Sequence, residues 1–69
     1  MKFKIGDVVK VINNEAFYYN AIGEVGEIED DEIHVYFIAI DETTGEEFIY
    51  EDCYYLEEEL EIVIKKEDL

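Results

Sequence analysis

Apolar and polar residues alternate along most of this chain with a period of two, the pattern of strands that turn one face to a core and the other to water. In residues 2–12, Phe3 and Ile5 alternate with Lys2 and Lys4, the chain turns at Gly6-Asp7, and Val9 and Val11 then share a face opposite Val8, Lys10 and Ile12. IGEVGEIED follows, with Ile22, Val25 and Ile28 as its apolar positions. IHVYFIAI sets Ile33, Val35 and Phe37 on one face against His34, Tyr36, Ile38 and Ile40 on the other. In EEFIYEDCYYL, Phe48 and Tyr50 oppose Ile49, and a slip of phase is expected near Asp52-Cys53. EEELEIVI supplies one turn of 3₁₀ helix at Glu57 to Glu59 and a last strand through Leu60, Ile62 and Ile64. The density of valine, isoleucine and aromatic residues favours strand throughout.

The connections carry their own signals. Asn13 to Asn20 form a long loop holding Phe17, Tyr18 and Tyr19 in succession. Neighbouring side chains of an extended chain point in opposite directions, so at least one of these rings is expected in solvent or under a partner. Glu29 to Glu32 read as a tight turn, and Asp41 to Gly45 as a reversal with Gly45 in a left-handed position. Gly23 and Gly26 mark a bulge or a close backbone approach within the second strand.

Five short strands with glycine bends predict an antiparallel sheet coiled tightly enough to hide its edges. Its expected core is Phe3, Ile5, Val9, Val11, Ile22, Val25, Ile28, Val35, Phe37, Phe48, Tyr50, Leu60 and Ile62. The segments FKIGDVVKVI, IGEVGEIE, VYF and EEELEIV, taken in order, resemble the small SH3-like barrels of the KOW and Tudor-related kind over residues 3 to 63. The resemblance implies an all-β fold, a small five-stranded antiparallel SH3-like barrel, as one domain over residues 1–64 with a charged, fraying C-terminal tail at 65–69. Barrels of this kind serve nucleic-acid binders, peptide binders and enzyme accessory subunits, so the fold alone implies no single function.

Charge narrows the choice. The 69 residues hold 5 Lys+Arg against 20 Asp+Glu, a formal net charge of −15. Residues 1 to 20 carry Lys2, Lys4 and Lys10 against Asp7 and Glu15, whereas residues 21 to 69 carry 18 acids against Lys65 and Lys66. Such a field repels DNA, RNA and anionic membranes, and attracts basic proteins or cations. Where a nucleic-acid-binding barrel needs basic side chains, this one has Glu24, Glu27 and the run Glu29, Asp30, Asp31, Glu32. A hydrophobic fraction of 49% is nevertheless too high for a disordered acidic tail. One cysteine allows no internal disulfide, and neither a signal-type leader nor a run of 18 uncharged apolar residues is evident. The expectation is a cytoplasmic protein with no membrane partner.

Catalytic chemistry is sparse. His34 lies in an alternating strand, where a structural or surface role is expected. Cys53 sits beside Asp52, whose charge disfavours a thiolate. No calcium-loop or dinucleotide motif occurs, and no enzyme activity, metal or cofactor is expected. The functional expectation is a non-enzymatic, acidic protein-binding module. It would engage a basic protein partner through Phe17, Tyr18, Tyr19, Tyr54 and Tyr55 as aromatic anchors, with Glu29, Asp30, Asp31 and Glu32 as the charged turn. Two alternatives stand beside it: a DNA-mimic inhibitor of a nucleic-acid-binding protein, of the phage or mobile-element type, and a structural accessory domain that forms a homodimer.

Overall fold

The computed structural model describes all residues from Met1 to Leu69. Five antiparallel strands form one sheet: β1 (Val8–Val11), β2 (Ile22–Glu29), β3 (Glu32–Ile40), β4 (Glu47–Leu56) and β5 (Leu60–Ile64). Their spatial order is β4-β3-β2-β1-β5, with a 3₁₀ turn at Glu57–Glu59 joining β4 to β5. The fold is all-β, a single antiparallel sheet around one core, and is compatible with a small barrel. No helix is long and apolar enough to cross a membrane.

The core is Phe3, Val9, Val11, Val25, Ile33, Val35, Phe37, Tyr55 and Leu60, all buried, with Ile28, Cys53, Ile62 and Tyr18 packed partly against it. Every strand contributes at least one of these residues, which is how a chain of this length gathers one contiguous apolar centre. Seven of the nine are among those the alternation marks out. Four expected core residues lie outside: Ile5, Ile22, Phe48 and Tyr50 are each about half exposed.

Each departure has a local cause. The Asp7 N–H donates to the Lys4 carbonyl at 3.0 Å, closing a turn before β1 begins and leaving Ile5 at its outer corner. In β2 the ladder shifts between Val25 and Glu27, opposite Val35 and His34. The extra residue, Gly26, lets Val25 and Ile28 both face inward, while strict alternation before it puts Gly23 inside and Ile22 outside. The phase slip in β4 also falls elsewhere than expected: Phe37 pairs with Glu51 and Ile38 with Ile49, so Tyr50 is the extra residue, two positions before Asp52. Phe48 lies where the β3–β4 hairpin runs past the core, and residues 40–50 are all exposed. Gly45, at φ +77°, occupies the left-handed position expected of it.

The C-terminal segment is hydrogen-bonded to the turn before β1. Asp7 is buried, and its two carboxylate oxygens accept the backbone N–H groups of Lys4 at 2.9 Å and Lys66 at 2.8 Å. Burial acts to raise the pKa of Asp7, but those two donors and the charges of Lys65 and Lys4 outweigh it and hold the carboxyl below its ordinary value. Residues Lys66–Asp68 form a second 3₁₀ turn, tied through Lys66 to the turn that precedes β1.

Candidate functional site: an aromatic and acidic sheet face

Alternation that sends Ile33, Val35 and Phe37 inward sends His34 and Tyr36 to the opposite face of β3. Cross-strand pairing sets Tyr54 opposite His34, Asp52 opposite Tyr36, Glu27 opposite His34 from the other side, and Glu24 opposite Tyr36. The same face of three adjacent strands therefore carries three aromatic rings and three carboxylates. Side chains directly opposite one another in such a ladder are close enough to interact.

His34 is its centre. The imidazole stacks on Tyr54, with ring centroids 4.2 Å apart and an interplanar angle of 14°, and meets Tyr36 at 4.6 Å on a tilt of 52°. His34 Nε2 donates to Asp52 Oδ2 at 2.6 Å. A carboxylate only accepts, so this bond fixes the proton on Nε2. Nδ1 is buried without a partner. Though the ring lies on the outer face, it is buried by its two tyrosines, and it acts as a platform that holds Tyr54 in place.

Tyr54 itself is about half exposed. Partial burial raises its phenol pKa, and the negative charges of Glu29, Glu27 and Glu32 raise it further. The β2–β3 turn completes the site. Glu29 pairs with Glu32, and Asp30, at φ +52°, makes the tight reversal between them. Glu29, Asp30, Asp31 and Glu32 are all exposed. Gly26 gives the site its shape: a Cβ built there would lie 1.8 Å from the Tyr36 ring, so the ring occupies the space that a side chain would take.

The nine residues singled out from sequence do not form one patch. Tyr54 lies on the outer face, and Glu29, Asp30, Asp31 and Glu32 make the β2–β3 turn at the end of that face. Phe17, Tyr18 and Tyr19 belong to the loop between β1 and β2, and of the three only Tyr18 packs against the core. Tyr18 packs on Phe37 at 5.1 Å between ring centroids, Phe17 is almost wholly exposed, and Tyr19 is about half exposed. Tyr18 has its pKa raised by burial first and then by Glu51.

Tyr55 is a core residue and is not available to a partner. It pairs with Ile33, has only 6% of its surface exposed, and meets Phe37 edge-on. Consecutive tyrosines on a strand must face opposite ways, and β4 turns Tyr54 out and Tyr55 in. His34, Tyr36 and Asp52 were not singled out for binding. Their only sequence signal is the period-two spacing that puts His34 and Tyr36 on one face. Cys53 pairs with Val35 and packs against the core, on the face opposite His34. No three His, Cys, Asp or Glu side chains are grouped so as to hold a metal ion.

Set against known protein families, curated proteins and solved structures, the chain matches none of them significantly.

Proposed function

We propose that this protein is a non-enzymatic, acidic protein-binding module that receives a basic protein partner on the outer face of β2, β3 and β4. The observation that carries the reading is Tyr54: a half-exposed ring, held flat on His34, on a sheet face that also carries Glu24, Glu27 and Asp52 and ends in the Glu29–Glu32 turn. An aromatic face attracts a lysine or arginine cation, and neighbouring carboxylates add charge-assisted hydrogen bonds. Four of the five lysines, Lys2, Lys4, Lys65 and Lys66, lie in the terminal segments outside the strands, so none of them competes for those carboxylates within the sheet. The strand order, the long first loop and the 3₁₀ turn before β5 support kinship with the KOW and Tudor-related barrels. Among the roles such barrels take, peptide binding suits this charge best.

The test is a two-dimensional NMR titration with a nonapeptide of alternating glycine and lysine. Saturable shifts centred on Tyr54, His34 and the β2–β3 turn are expected. Shifts spread evenly over all carboxylates would reduce the acids to a solvated coat. A partner that duplex DNA displaces from this face would make the module a DNA mimic.

A further inference from the structure

The face that carries Tyr54 does not end at Tyr36. Farther along the same strands it becomes aliphatic: Ile38 pairs with Ile49, and a shallow cleft there is lined by Val8, Ile22, Glu24, Ile38 and Glu47. Ile22, Ile38 and Ile49 are 54%, 39% and 56% exposed. A cluster of large β-branched side chains in water on so small a protein is the mark of a contact surface. The cleft is charged at its edge by Glu24 and Glu47, and no lysine lines it. Lys10, opposite Ile22 on β1, is the cation that borders it.

Resting on the reading of the Tyr54 face, we infer that the isoleucine cleft is the second half of one docking surface, and that its occupant is an extended segment of a basic partner in which aliphatic residues and lysine or arginine share one face, at every second position. The aliphatic side chains seat among Ile22, Ile38 and Ile49, while cations reach Glu24, Glu47 and the carboxylates of the Tyr54 face. Ile38 lies four positions beyond His34 on β3, about 13 Å at the rise of a strand, so a segment of about five extended residues spans both halves. A second copy of this chain suits the cleft poorly. Two-fold pairing would bring Glu24 and Glu47 of one copy onto the same carboxylates of the other, between molecules that each carry a net charge of −15.

Two nonapeptides of equal charge separate the outcomes: in one, lysine and leucine take turns at the odd positions with glycine between them, and in the other glycine replaces the leucines. The leucine peptide is expected to bind about tenfold more tightly, the effect of one or two seated leucines, and to shift the methyl signals of Ile22, Ile38 and Ile49. Ile38→Thr and Ile49→Thr keep β-branched side chains at exposed positions. Each is expected to remove that tenfold advantage while leaving the glycine peptide unaffected. Equal affinities with unmoved isoleucine methyls would overturn the inference and leave the Tyr54 reading standing. If neither peptide bound saturably, both would fall. A concentration-dependent dimer in light scattering, abolished by Ile38→Thr, would also overturn the inference by giving the cleft to a second copy.

Discussion

His34 and Tyr54 face each other across β3 and β4 as parallel rings 4.2 Å apart, and only the tyrosine is open to solvent. The two residues therefore divide support from recognition, and substitution should separate them. His34→Ala removes a buried ring and its bond to Asp52, and is expected to lower unfolding stability by about 2–3 kcal/mol. Tyr54→Ala, at a half-exposed position, is expected to cost less than about 1 kcal/mol while weakening lysine-peptide binding at least tenfold. Denaturant titration read beside peptide affinity checks the pair. Equal losses of stability would show that Tyr54 is a structural ring.

Neutralising the turn tests the role of charge. Asp30→Asn, Asp31→Asn and Glu32→Gln together should preserve the fold, because asparagine also tolerates the positive φ of residue 30. With fewer fixed charges to attract a basic peptide, affinity should fall and its dependence on salt should flatten. Calorimetry at several ionic strengths measures both. An unchanged salt slope would take this turn out of the site.

Gly26→Val should be strongly destabilising, by about 3 kcal/mol or more, for a reason specific to Tyr36. The backbone of Gly26 is not in the left-handed region; it is the aromatic ring that occupies the space of a Cβ. The double variant Gly26→Val with Tyr36→Ala should recover part of the loss, which is the non-additivity expected of residues in contact. Thermal melts of the two single variants and the double variant decide it, and simple additivity would refute the contact as the cause.

Asp7 predicts the acid limb of stability. Its carboxyl is held below the ordinary value in the folded chain, so the folded state favours the ionised form. That stabilisation is complete above the unfolded pKa, near 3.8, and is lost as pH falls through the lower folded value. Asp7→Ala should cost about 2–3 kcal/mol at neutral pH, release residues 65–69, and flatten the loss of stability below pH 4. Urea unfolding from pH 2 to 7 and amide exchange at Lys66 report the two effects.

Tyr55 predicts the alkaline limb. Burial, with Cys53 beside the ring, pushes its phenol far above the ordinary tyrosine value of 10.0. A group whose folded pKa is raised stabilises fully below its unfolded pKa, and this contribution falls as pH rises from 10. Tyr55→Phe should therefore resist alkaline unfolding better than the parent chain. Tyrosine absorbance followed against pH would show one late-titrating phenol disappear.

Period-two alternation was enough to determine five strands, their approximate limits and most of the core, because the face a side chain takes along a strand is a local property. Val9, Val11, Val35 and Phe37 are buried for that reason. Composition likewise determined the sign of the electrostatic field. Alternation does not say where a strand gains a residue: the bulge at Gly26 lets Val25 and Ile28 both face inward, unbroken alternation before it leaves Ile22 outside, and the bulge at Tyr50 puts that ring outside the expected core. Nor does it say which of two adjacent tyrosines faces inward, a choice made by the pairing of Tyr55 with Ile33. The meeting of His34 with Asp52, 18 positions apart, and of Asp7 with Lys66, 59 positions apart, was decided only in three dimensions. Sheet register and chain closure set those distances, and both arise from contacts that no local stretch of sequence contains.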